Sequence, residues 1–136
     1  MTRLRRYEEF EDETGATVRY RRGPEGGLVA LTADVAEDVR VGARAWVDPG
    51  ARVESGAVIG TDAWVEKGAW IRAGAHLGEG VHVGQGAVVG VGVRLGHRTR
   101  IGAGARVESG AVVPDELRIP EGATLAAGQD PHALAA

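Results

Sequence analysis

Residues 57–80 read AVIGTD AWVEKG AWIRAG AHLGEG, four blocks of six whose third residue is always aliphatic and branched: Ile59, Val65, Ile71 and Leu77. The series extends in both directions. It runs from Val35 through Val41, Val47 and Val53, then past Val83, Val89, Leu95, Ile101, Val107, Val113 and Ile119 to Leu125, sixteen hits without one inserted residue. Two positions before each stands a mostly small residue, from Ala33 and Val39 through Ala45, Ala51, Ala57 and Ala63 to Ala123. Neither a helix of 3.6 residues per turn nor a plain alternating strand gives this register, whereas a solenoid of short repeats does.

Within one hexad, Ala57–Asp62, the side chains of Ala57 and Ile59 point one way and those of Val58 and Gly60 the other. The last two residues turn the chain. Glycine fills the second turn position at 50, 56, 68, 74, 80, 86, 92, 104, 110 and 122, as a tight corner with positive φ requires. The reading is an all-β parallel helix in which each coil pairs with the next about 4.8 Å away.

The pattern in Ile59-Gly60-Thr61-Asp62-Ala63-Trp64 and Ile101-Gly102-Ala103-Gly104-Ala105-Arg106 resembles the hexapeptide-repeat family over residues 33–126. That resemblance implies a left-handed, triangular prism with three hexads per coil. Its hand runs against the usual right-handed crossover and comes from the resemblance alone. Sixteen hexads then make slightly more than five coils, a prism roughly 25 Å tall. Residues 1–32 form an N-terminal arm and a hairpin, with Thr17–Tyr20 and Leu28–Leu31 flanking a Gly-Pro-Glu-Gly-Gly turn; residues 127–136 are a short tail.

Composition narrows the partners. With 43% hydrophobic residues but only six aromatics, the core must be built from Val, Ile, Leu and Ala. A net charge of −3 argues against a nucleic-acid surface. The absence of cysteine removes disulfides and thiolate metal sites. MTRLRRYEEFEDE is not followed by the apolar region of a secretory signal, and no run has the length of a membrane span, so a cytoplasmic protein is expected.

Eighteen residues per coil stack the outward residues into columns. One face carries Trp46, Trp64, His82, Arg100 and Arg118, the next Arg52, Trp70, Val88 and Arg106, the third Val58, His76, Arg94 and Val112. The Trp column can simply shield its sheet, or form a subunit contact, since aromatics and arginines are enriched at interfaces. A homotrimer meeting through Trp46, Trp64 and His82 is expected. One corner column reads Ala43, Thr61, Glu79, His97, Asp115, a histidine between two carboxylates that can orient its tautomer for general-base work.

Leu95-Gly96-His97-Arg98-Thr99-Arg100-Ile101-Gly102 places His97 in a register similar to that of the catalytic histidine of sugar-nucleotide O-acyltransferases of the hexapeptide family. Ala127-Gly128-Gln129-Asp130-Pro131 is similar to the Gly-x-Pro that closes hexapeptide acetyltransferases near the coenzyme A site, with one extra residue here. The resemblance implies acyl transfer from a coenzyme A thioester to the hydroxyl or amine of a small-molecule acceptor. His97 would be the base, Glu79 or Asp115 its orienting carboxylate, and Arg98 or Arg100 the cofactor-binding residues near the phosphates. The register of His97 is also similar to one zinc ligand of the γ-class carbonic anhydrases. That family's second histidine falls here on Gly102, and His76 and His82 lie on different faces, so no metal site is expected. The uninterrupted repeat favours another reading, a non-catalytic scaffold whose bare prism assembles with itself.

Overall fold

The computed structural model describes residues 7–134; the part of the N-terminal arm in residues 1–6 and the last two residues of the tail lie outside them. Three longer strands come first: β1 (Tyr7–Glu11), β2 (Thr17–Arg22) and β3 (Leu28–Ala30). Sixteen two-residue strands follow, one per hexad, from β4 (Asp34–Val35) to β19 (Thr124–Leu125). Each consists of one outward residue and the aliphatic that follows it, because a corner begins immediately afterwards. A short 3₁₀ turn, Pro131–Ala133, capped by the Asp130 side chain, is the only helical element among the described residues.

From β3 onward the strands stack in parallel on three sheets, the faces of a β-solenoid of about five turns. The columns match the 18-residue arithmetic: Trp46 pairs with Trp64, Trp64 with His82, His82 with Arg100 and Arg100 with Arg118. Adjacent coils are tied by backbone bonds such as Trp64 N–H to the Val81 carbonyl at 2.8 Å and Glu66 N–H to that of Val83 at 3.0 Å. Fifteen of the sixteen aliphatics are buried; Val35, on the first coil, is half-buried because nothing packs beneath it. Thr99 stands wholly buried in the column of small residues, where its hydroxyl donates to the Gly96 carbonyl at 3.1 Å.

The solenoid starts earlier than the sequence pattern places it. β3 pairs with β2 as the expected hairpin, Tyr20 opposite Ala30, but its other edge pairs in parallel with Trp46 and Val47. Leu28 and Val29 thus occupy the 18-residue register one hexad before Val35, and Val29 joins the core. The hairpin, widened by β1, extends the first sheet beyond the prism.

All ten expected corner glycines carry positive φ, between 65° and 80°. One corner column behaves differently. Where the third sheet (His76, Arg94) turns into the first (His82, Arg100), the left-handed position holds Arg44, Asp62, Arg98 and Glu116, with φ from 57° to 64°, and only Gly80 is glycine.

Candidate functional site

His97 sits at that same unusual corner. Its Nδ1 accepts a hydrogen bond from the Glu79 backbone N–H at 2.9 Å, and its own N–H donates to Asp115 Oδ1 at 2.8 Å. Each side chain therefore caps the amide of the coil below, as Ser109 Oγ does for Val91 N–H at 3.0 Å on another corner. Neither Glu79 nor Asp115 places its carboxylate on the imidazole, so the expected orientation by a carboxylate is replaced by orientation through a backbone amide. The reason is geometric: a coil stacked about 4.8 Å above aligns a short acceptor with the amide beneath it before it can meet the next side chain. With Nδ1 accepting, the neutral ring carries its proton on Nε2, which is then a donor.

A groove of about 310 Å³ opens beside His97, and it brings in residues to which the sequence assigned no role. His76, Arg94, His97 and Asp115 line it; Glu79 does not. His76 and Arg94 are register neighbours on the third sheet, exposed, and make no side-chain hydrogen bond or ion pair among the described residues. Column arithmetic already put His76 one coil below Arg94, and only Leu95 and Gly96 separate Arg94 from the His97 corner. That adjacency was the available signal.

The two arginines expected near phosphates part company. Arg98 is held by Glu116, its Nε at 3.0 Å and Nη2 at 2.8 Å from Oε1, so its charge is matched. Arg100 stands in register with Arg118, both exposed, and neither forms an ion pair among the described residues. Like charges directly opposite on a sheet repel, and an anion between them relieves that repulsion.

The Trp column is partly covered by the chain itself. Trp46 packs against Phe10 and Tyr20, ring centroids 5.2 and 5.1 Å away, so the hairpin shields it. Trp64 lies flat on His82 at 4.6 Å and 5° and remains 44% exposed. His82 Nε2 meets Glu66 Oε2 at 2.5 Å. Asp48 accepts from Trp64 Nε1 at 2.7 Å and from the Tyr20 hydroxyl at 3.0 Å. Burial first, then the Asp48 charge, push the Tyr20 phenol well above its ordinary pKa. Trp70, on the second sheet, lies beneath the guanidinium groups of Arg52 and Arg72, 5.2 and 4.8 Å from its centroid. Glu54 and Arg72 form only a loose surface ion pair, at 3.9 Å, since Glu54 also serves Trp70 Nε1 and the Ala73 amide.

Among the described residues no group of three His, Cys, Asp or Glu side chains converges as a metal site would need. His76 and His82 stand on different sheets.

Sixteen hexads wound three to a coil, with sheets in 18-residue register, give this chain a six-residue repeat and the β-solenoid fold seen in hexapeptide transferases. No family model and no curated protein matches it. Among solved structures it is similar to two mutants of perosamine N-acetyltransferase from Caulobacter crescentus, both in complex with CoA and GDP-perosamine. Identity is 27% and 28%, each with a TM-score of 0.72 over 73% of this chain and 47% of that one. The chain thus spans about half the length of that transferase. It also shares its fold with a hexapeptide transferase family protein from Anaplasma phagocytophilum, at 18% identity and a TM-score of 0.59, over 74% of this chain and 73% of that one.

Proposed function

We propose that this protein is a coenzyme A-dependent acyltransferase working at the His97 groove, with a small-molecule hydroxyl or amine as acceptor. The observation that carries this reading is the likeness of the prism to an acetyltransferase bound to CoA, at 27% identity. Arg100 and Arg118, without ion pairs among the described residues, are the groups suited to the phosphates of CoA, and Arg98, already matched by Glu116, contributes less. CoA supplies the activated acyl group as a thioester.

Proton chemistry falls to two histidines. In the ring position seen here, His97 offers Nε2–H, a donor suited to an oxygen that gains negative charge as the acceptor attacks. For His97 to serve as the base itself, the Glu79 amide must release Nδ1. His76 needs no such rearrangement. It shares the groove, its ring is unbonded among the described residues, and it takes the acceptor's proton. Trp64 and His82 belong to the subunit contact of a homotrimer in this reading. Trp46 has its own hairpin cover and contributes less.

Calorimetry with CoA and turnover with acyl-CoA donors test the assignment. His76→Ala should bind CoA as wild type does and lose about 10²–10⁴-fold in turnover. His97→Ala should lose about 10²–10³-fold, the range for one lost oxyanion donor. Full activity in His76→Ala with loss in His97→Ala would return the base to His97. No CoA binding by the wild type at millimolar concentration would overturn the enzyme reading and leave the scaffold.

A further inference from the structure

Trp46 and Trp64 are neighbours in the first sheet, yet each turns to a different partner, Trp46 to the hairpin aromatics and Trp64 to His82. A cavity of about 420 Å³ opens where they diverge, walled by Phe10, Tyr20, Trp46 and Trp64. It lies at the hairpin end of the prism, and none of the residues lining the His97 groove contributes to it. Four aromatic rings around one cavity are more than the prism needs. The other faces carry single aromatics or none.

The polar side of this cavity has one sign. Glu11, Asp12, Glu13, Asp48 and Asp62 face a single cation, Lys67, the only lysine in the chain. Two of these carboxylates are held by neutral donors, which satisfy their oxygens without cancelling their charge. Asp48 takes the Tyr20 hydroxyl and the Trp64 indole N–H, and Asp12 takes the Thr14 hydroxyl and the amides of Thr14 and Ala16. Asp62 is matched by Arg44, and Lys67 lies 3.6 Å from Glu13. An excess of fixed negative charge beside aromatic faces is complementary to a cation that is both charged and greasy. A metal ion or hydrated inorganic cation has no use for the rings, whereas an alkylammonium uses both. The volume falls within the usual range for small-ligand sites and leaves room for the group that bears the nitrogen.

We propose that this cavity binds an organic ammonium ion, its methyl or methylene groups on Trp46 and Trp64 and its charge facing Asp48. The proposal is independent of acyl transfer, but it competes with the homotrimer contact for the exposed face of Trp64.

The test uses the full chain and choline as probe, read by tryptophan fluorescence and by the Trp64 indole N–H resonance. Choline should saturate in the millimolar range or below. Its neutral isostere 3,3-dimethyl-1-butanol should bind at least about tenfold more weakly, because the cation–π and carboxylate attraction is lost. Trp64→Ala should weaken choline at least about tenfold, whereas Trp70→Ala, on another sheet, should leave it unchanged. Lys67→Met should tighten choline severalfold by removing the competing cation, a gain that loss of folding cannot imitate. Equal binding of choline and the isostere would reduce the cavity to a plain apolar groove. No shift of the Trp64 resonance at about 50 mM choline, well above the range in which a millimolar site saturates, or occupation by a second copy that excludes choline, would overturn the proposal.

Discussion

Arg98 adopts φ 57° at a turn position where most other corners use glycine. A side chain in the left-handed region costs roughly 1–2 kcal/mol relative to its usual conformation. Here the ladder Arg98–Glu116, like Arg44–Asp62 three coils away, offsets part of that cost, though an exposed ion pair contributes little. Arg98→Gly and Arg98→Ala lose the same ion pair and differ only in how they tolerate that φ. Arg98→Gly should therefore be more stable by about 1 kcal/mol in urea unfolding, the backbone strain outweighing glycine's extra freedom in the unfolded chain. Equal midpoints would show that the corner is not strained. The corner pattern was visible in the sequence as glycines missing from one column. That the same positions keep a positive φ was not, since nothing local forces an arginine into it.

Two kinds of glycine hold the strands and corners in place, and they answer to different forces. A Cβ on Gly84 would lie 2.6 Å from the Ala103 nitrogen and 2.8 Å from the Ile101 carbonyl oxygen of the next coil. A Cβ on Gly86 would meet nothing within 4 Å, but its φ is 69°. Gly84→Ala must push two coils apart, so it should cost about 2–4 kcal/mol. Gly86→Ala should cost only about 1–2 kcal/mol, the price of the left-handed conformation. Thermal melts that rank the two the other way would contradict the register. The sequence showed both columns of glycine, but it supplied a reason only for the turn position. The close approach at the other is set by coil spacing, which no hexad contains by itself.

Across the whole molecule, each coil is stabilised by the two it touches. Ile71 is fully buried in the middle of the stack. Ile71→Asp places an uncompensated charge between two coils and should cost about 4 kcal/mol or more, abolishing the native melt or lowering it by roughly 10 °C or more. A variant that melts with the wild type would contradict the core assignment. The charged surface adds a dependence on acid. Asp62 is held below its ordinary pKa of 3.8 by the Arg44 hydrogen bond, Asp38 by the Ser55 hydroxyl and Asp12 by the Thr14 hydroxyl. The folded chain then binds protons less readily than the unfolded one, so this stabilisation is complete above about pH 4 and fades as pH falls through the lowered values. Urea midpoints should decline below pH 4, and Asp62→Asn should flatten part of that decline. An unchanged profile would show that the Arg44–Asp62 pair contributes nothing.

By itself the sequence determined the hexad; the resemblance to the hexapeptide-repeat family added three hexads per coil, and with them the three faces and the residues stacked on each. Once the coil is 18 residues long, an uninterrupted repeat leaves no freedom in which side chain lies above which, so the Trp64–His82 and Arg100–Arg118 neighbours could be read from residue numbers. The tertiary structure decided how those columns are used. It turned His97 Nδ1 onto the Glu79 amide instead of a carboxylate, because backbone donors at a coiled corner are nearer than the side chains beside them. It brought His76 into the His97 groove across the edge between face and corner. It also laid Phe10 and Tyr20 over Trp46, and no periodicity could announce that, since β1 and β2 lie outside the repeat and are placed by the β2–β3 pairing, aromatic packing and the Tyr20 hydrogen bond to Asp48.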